Sequence, residues 1–141
     1  MFEQYFTDLQ LAFALNLILC TILGYSLGRE RELKGKAAGI STQILVMGGA
    51  MAFSFISSQI VQDPARIAAG IVTGVGFLGA GIIFHQSTKS TDHVVNLTTA
   101  ATIWLSAAAG MAIGFGYYII AILCIMFGLV ALNLPHPKPR K

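Results

Sequence analysis

Charged residues are scarce in this sequence. They make up 11% of its 141 residues, while hydrophobic residues make up 55%. A soluble globular domain has about 25% charged residues. So few charges cannot cover a surface that faces water, which excludes an ordinary soluble domain. The mean hydropathy of +0.73 indicates that lipid surrounds most of the chain.

Other absences narrow the function further. No stretch combines basic residues with interleaved aromatic residues, so nucleic acid is not an expected partner. The first eight residues contain no Lys or Arg, with which a cleavable signal peptide would begin, so none is expected. The two cysteines, Cys20 and Cys124, lie within apolar runs, where a thiol behaves as a small hydrophobic group. We therefore expect no disulfide bond.

The apolar runs predict an all-α integral membrane bundle. A spanning helix needs about 20 mostly apolar residues, and paired glycines at 114 and 116 divide the longest uncharged stretch. The sequence therefore predicts five transmembrane helices in one domain, residues 1–134, followed by a short disordered cytoplasmic tail, residues 135–141. The predicted spans are residues 9–27, 40–60, 66–84, 97–115 and 116–134.

The loop charges predict the orientation of these spans. Cytoplasmic loops of membrane proteins carry an excess of Lys and Arg, and the first connection carries four such residues between positions 29 and 36. Five spans then place the N-terminus outside and the C-terminus inside. In this orientation eight basic residues lie inside, and Arg66 lies outside.

Small residues predict where the helices pack, because they let backbones approach closely in lipid. Spans 66–84 and 97–115, rich in Gly and Ala, are expected at the centre of the bundle, and span 116–134 is expected to face lipid. Residues 74–79 match GxGxxG, but no strand precedes them, so packing is favoured over nucleotide binding. The glycines assigned to packing are Gly70, Gly74, Gly76, Gly79 and Gly81.

The fourth span carries a small polar face, which we define as Thr99, Thr102, Ser106 and Gly110. Their spacing places them on one side of a helix. Packing against another helix is the structural interpretation, and a lining for ions or water is the functional one. Asn16, deep in the first span, is expected to form an interhelical hydrogen bond, with this face as one candidate partner.

Two charged motifs are candidate functional sites. Arg29 and Glu30 begin a run whose acid–base pairs at i,i+4 favour a first helix that continues to about Gly35. They either set the topology or face a partner at the membrane edge. Asp63 precedes a proline, a strong helix-start signal, and Arg66 either pairs with Asp63 or lines a polar cavity.

No residues suggest a reactive centre. A zinc site needs three or four converging ligands, and no nucleophile lies at a recognisable spacing from a base. We therefore expect neither an enzyme nor a bound cofactor. The three histidines fall in a loop or in the tail: His85, His93 and His136.

Five motifs together resemble the MgtC/SapB/YhiD family. They follow the family's order and extend over roughly residues 28–116, most of the chain. They are Gly28-Arg29-Glu30-Arg31, Ala38-Gly39 with Thr42, the run 63–69 (DPARIAA), the run 74–81 (GVGFLGAG) and the run 97–104 (LTTAATIW).

The resemblance implies a bacterial inner-membrane protein that supports growth at low magnesium and survival inside host cells. It implies a regulator of other membrane proteins, the ATP synthase among them, and not a magnesium pump. Exposed small-residue faces add the expectation of a homo-oligomer. The motif positions that carry over are Arg29, Glu30, Asp63, Arg66, Thr98 and Thr99.

The sequence departs from the family pattern in three places. Ala37 stands where the family usually has proline, Ser41 where it has a basic residue, and Val95-Asn96 where it has Arg-Gly. Many members also carry a soluble C-terminal domain, and the resemblance does not imply that domain's functions for this chain. Two hypotheses follow: a non-enzymatic regulator that binds other integral membrane proteins, and an ion or solute transporter linked to Mg²⁺. The transporter would use a polar pathway near Asp63, Arg66 and the small polar face.

Overall fold

The computed structural model describes residues 2–60, 63–85 and 96–135, which form five helices. Within these ranges there is no strand, so the all-α prediction is confirmed. The predicted tail lies almost entirely outside the described residues, as do His93 and His136. The helices are α1 (Phe2–Leu33), α2 (Ile40–Ile60), α3 (Ala65–His85), α4 (Leu97–Gly114) and α5 (Tyr118–Asn133).

Four of these helices, α1 to α4, are long and apolar enough to cross a membrane. The fifth, α5, is apolar but contains 16 residues. At about 1.5 Å per residue it is about 24 Å long, shorter than the ~30 Å hydrocarbon core of a bilayer. A membrane protein with four spanning helices is therefore supported, and the fifth span stays a prediction.

The connection between α1 and α2 is a tight turn at Gly35. The Gly35 backbone has φ +59°, and the Lys36 N–H donates to the Arg31 carbonyl at 2.9 Å. Together with the bond from Gly35 N–H to the Glu32 carbonyl, this is a Schellman motif, which ends a helix with a glycine in the left-handed region. The Glu32 carboxylate then accepts the Ile40 N–H at 2.9 Å and caps the start of α2.

The centre of the bundle is α4. Half of its residues are buried, and it packs against each of the other four helices. In α3, by contrast, 6% of the spanning residues are buried, because it packs mainly along one side of α4. The prediction that α3 is central is therefore wrong. Most of the large side chains of α5 are exposed, and it contacts the bundle through Ala121, Ile125 and Gly128.

Two glycine pairs produce the closest helix contacts. On α1, Gly24 and Gly28 lie against the backbones of Ile44 and Ile40 respectively, so α1 and α2 are antiparallel. On α4, Gly110 lies against the Met47 backbone of α2. One turn further along, Gly114 lies against Met51 and Ser54. Since both sets of numbers increase together, α2 and α4 are parallel neighbours.

The five α3 glycines behave differently from the prediction. At Gly79 an added Cβ would lie 3.6 Å from the Ala100 Cβ, an ordinary packing contact with α4. At Gly70, Gly74, Gly76 and Gly81 an added Cβ would meet no atom within 4 Å. Within one chain, therefore, these four glycines are not packed against another helix, and their faces remain open.

Candidate functional site

A network of buried polar side chains joins α2 to α4. Gln43, the fourth residue of α2, is fully buried. Its Nε2 donates to the Thr102 Oγ1 and to the Ala38 carbonyl, each at 3.1 Å, and its Oε1 accepts from the Ser106 hydroxyl. The Thr102 hydroxyl donates in turn to the Thr99 carbonyl at 2.8 Å. Both amide hydrogens and the carbonyl of Gln43 are thus satisfied, as a buried amide requires.

Arg31 extends this network to α1. Its side chain is 4% exposed, and its Nη2 donates to the Thr99 Oγ1 at 2.8 Å. Its Nη1 lies 3.8 Å from the Glu30 carboxylate. We call the connected residues Arg31, Gln43, Thr99, Thr102 and Ser106 the polar cluster. It joins three helices at one end of the bundle.

Lys34 ties the same end of α1 to α5. Its ammonium group forms an ion pair with Glu30, one turn back on α1. It also donates to the Leu132 carbonyl at 2.6 Å and to the Asn133 Oδ1 at 3.1 Å. A cation at the last carbonyls of α5 is favoured by the negative end of the helix dipole.

The small polar face of α4 supplies most of the polar cluster. Thr99, Thr102, Ser106 and Gly110 are all buried, because their spacing turns them toward α2. Asn16 is also buried, but the residues of other helices with described hydrogen bonds to this face are Arg31 and Gln43.

The other candidate functional residues from the sequence lie in different environments. Arg29 is exposed, whereas the Glu30 side chain is 10% exposed beside the polar cluster. Thr98 is exposed on the first turn of α4. Asp63 accepts the Ala65 N–H at 3.1 Å and so begins α3.

Asp63 and Arg66 lie far from the polar cluster. Gln43 is near the start of α2 and Ile60 is its last residue, which separates them by about 26 Å along the helix axis. Asp63 follows at that far end. Among the described residues, the ion pairs involve Glu30 with Arg31 and Lys34, so a pair between Asp63 and Arg66 is not seen.

Sequence reasoning missed Arg31 and Gln43 as site residues. A signal for Arg31 exists: Asn16, Cys20, Leu27 and Arg31 recur at spacings of four, seven and four, which places all of them on the buried face of α1. Gln43 has the same kind of signal on α2, where it precedes Met47 by one turn. Arg29 belongs to the same charged run, but its position on the helix turns it outward.

The described residues offer no metal centre. No group of three or more His, Cys, Asp or Glu side chains lies close enough in this part of the chain to hold a metal ion. The polar cluster consists of hydroxyl, amide and guanidinium groups, which can form hydrogen bonds to a ligand or hold neighbouring helices in place.

These features define a polytopic helical membrane protein with a buried polar cluster at one end of its bundle. The chain belongs to the MgtC family, because the sequence model of that family matches residues 17–140. No solved structure matches it significantly.

Curated relatives agree with this assignment. The chain is 40% identical to YhiD of Escherichia coli (strain K12) over 134 residues, covering 88% of this chain and 60% of that protein. It is 37% identical to SapB of Bacillus subtilis (strain 168), covering 84% of this chain and 54% of SapB. It is 44% identical to MgtC of Brucella abortus (strain 2308), covering 79% of this chain and 46% of that MgtC. The chain thus spans about half the length of the relatives it matches.

Proposed function

We propose that this protein is a non-enzymatic regulator of the bacterial inner membrane that acts by binding other integral membrane proteins. In this role it supports adaptation to low magnesium or to stress imposed by a host. Membership of the MgtC family supports the proposed membrane location and the link to magnesium, and the open face of α3 supports binding to another membrane protein.

The proposed orientation has the N-terminus outside and the C-terminus inside. The last turn of α1 and the turn that follows it carry Arg31, Lys34 and Lys36, and in this orientation they lie at the cytoplasmic side, as the positive-inside rule favours. A fluorescent reporter fused to the C-terminus is expected to be bright, and alkaline phosphatase fused there is expected to be inactive. Active phosphatase at the C-terminus would contradict this orientation.

An apolar groove between α2 and α3 is the proposed binding surface. It has a volume of about 570 Å³, and its walls include Phe53 on α2 with Gly70 and Gly74 on α3. Phe53 is 64% exposed, and an added Cβ at either glycine would meet open space. Arg66, exposed at the α3 start, lies at one end of the groove.

The proposed occupant is a transmembrane helix of another membrane protein. In lipid, hydrophobicity does not drive helices together, and association depends on close backbone approach at small residues. Gly70 and Gly74 provide that approach one helical turn apart. The exposed Arg66 favours a helix with an acidic residue near its outer end. The ATP synthase, implied by the family resemblance, is the first candidate.

Replacing Gly74 by leucine is expected to abolish complementation of a strain that lacks the gene during growth at low Mg²⁺. The new side chain fills the groove and lowers the affinity for the partner by about tenfold or more. The protein itself should stay folded, because an added Cβ at Gly74 meets no atom of its own chain. Growth is compared with the size-exclusion profile and melting temperature of the purified variant.

The matched control is Gly76→Leu. Gly76 is equally open but lies about 200° around the same helix, away from the groove. Equal complementation by both variants would contradict a partner in the groove. A photo-crosslinker at position 74 that captures a differently tagged copy of this chain, and no ATP synthase subunit, would make the occupant a second copy.

Magnesium transport is the second candidate function. The relative YhiD of Escherichia coli is named a magnesium transporter. Ser54 and Ser57 on α2 have buried hydroxyl groups without a hydrogen-bond partner in the described part of the chain, so polar atoms extend along α2 beyond the polar cluster. Mg²⁺ flux into liposomes containing the purified protein would favour transport over regulation.

A further inference from the structure

A second cavity opens at the end of the bundle where α1 ends and α4 begins. Its volume is about 640 Å³, a size typical of small-molecule sites. Arg31, Lys34 and Lys36 form one side of it, and the first turn of α4 and the last turn of α5 form the others. We call it the basic cavity.

Among the described residues, the charged side chains that line the basic cavity are cations, and one of them, Lys34, is paired with Glu30 outside the lining. Arg31 is the informative one, because its side chain is 4% exposed and its Nε has no hydrogen-bond partner among the described residues. Arg31 also lines the cavity, so its buried, permanent positive charge acts on any group bound there.

The start of α4 adds further donors on the opposite wall. The first N–H groups of a helix have no acceptor within the helix, and the helix dipole favours negative charge there. The Thr98 hydroxyl is exposed on this turn, and Thr99 already accepts from Arg31. Cations and a helix N-terminus together form the usual environment of a bound phosphate.

We propose that the basic cavity binds a phosphate group. Arg31 provides the planar guanidinium that suits phosphate oxygens, Lys36 provides a second charge, and the first turn of α4 provides N–H groups. Lys34 is held by Glu30 and by the end of α5, so it shapes the cavity wall. The phosphate belongs either to an anionic phospholipid, whose chains would follow Leu132 and Leu134, or to a free phosphate ion.

The test measures phosphate binding with two probes. Inorganic phosphate is titrated into the detergent-purified protein at constant ionic strength, with chloride as the reference, and the melting temperature is followed. Separately, nanodiscs of phosphatidylglycerol and of phosphatidylcholine are compared by native mass spectrometry of the lipid that stays bound. A rise in melting temperature with phosphate identifies the free ion, whereas selective retention of phosphatidylglycerol identifies the headgroup.

Lys36→Gln is the diagnostic variant, because Lys36 is exposed and its loss leaves the fold intact. We expect roughly fivefold weaker binding of whichever probe binds the wild type, as one cation near a phosphate contributes about 1 kcal/mol. Thr98→Val should weaken the same binding. The matched control, Arg29→Gln, removes one charge from the same end but outside the cavity and should leave binding within twofold. Binding of neither probe, or equal losses in Lys36→Gln and Arg29→Gln, would overturn the proposal.

Discussion

Replacing Gly110 by alanine is expected to lower the free energy of unfolding by about 3 kcal/mol. The added methyl group would overlap the Met47 carbonyl oxygen of α2, and backbone atoms cannot move aside as a flexible side chain can. The two helices must therefore separate, which also pulls Gln43 away from Thr102 and Ser106. Urea or thermal unfolding of the purified protein in detergent measures the change.

The control for Gly110→Ala is Gly76→Ala on α3. An alanine there meets open space, so its better helix propensity should leave the stability unchanged or raise it by up to about 1 kcal/mol. The same chemical change thus has opposite expected signs at two positions. If both variants unfold at the same denaturant concentration, close α2–α4 contact at Gly110 does not hold in the folded protein.

Changing Gln43 to glutamate is expected to destabilise the protein by about 2–3 kcal/mol at neutral pH. The side chains have nearly the same shape, but the Nε2 donor becomes an oxygen acceptor. That oxygen would face the Ala38 carbonyl, so a hydrogen bond becomes a repulsion between two acceptors. The buried carboxylate also loses its hydration without a cation bonded to it.

Gln59→Glu is the companion measurement for Gln43. Gln59 lies on the same helix but is exposed, so the same substitution there should change the stability by less than about 0.5 kcal/mol. Gln43→Leu should fall between the two, because it loses the hydrogen bonds to α4 without burying a charge. A Gln43→Glu protein as stable as Gln59→Glu would show that Gln43 is not buried between α2 and α4.

Local signals in the sequence predicted the helices well. The start of α2 at Ile40, the end of α1 near Gly35 and the division before α5 follow from charge, glycine and hydrophobic length, which act within a few residues. At Gly116, where φ is +82°, the chain turns as the paired glycines predicted. These features need no knowledge of which helix lies beside which.

The pairing of helices could not be predicted in the same way. Gly70 and Gly74 form a GxxxG pair just as Gly24 with Gly28 and Gly110 with Gly114 do, yet the first pair is open and the other two are closely packed. A glycine pair shows that the backbone of another helix could pack closely against it, but it does not show whether such a helix is present. The partners within the polar cluster could not be predicted either. Gln43 and Ser106 are 63 residues apart, and nothing in the sequence around either residue indicates the other as its hydrogen-bond partner.

The parallel arrangement of α2 and α4 sets the order in which the protein can be assembled. The ribosome must add 63 residues after Gln43 before Ser106 exists, which takes roughly 3 to 13 s at typical synthesis rates. Once α2 is complete at Ile60, α1 and α2 can associate through Gly24 and Gly28, while the partners of Gln43 on α4 have not yet been synthesised. During synthesis the protein therefore passes through an intermediate in which α1 and α2 form a helical hairpin in the bilayer and the central helix, α4, is still absent.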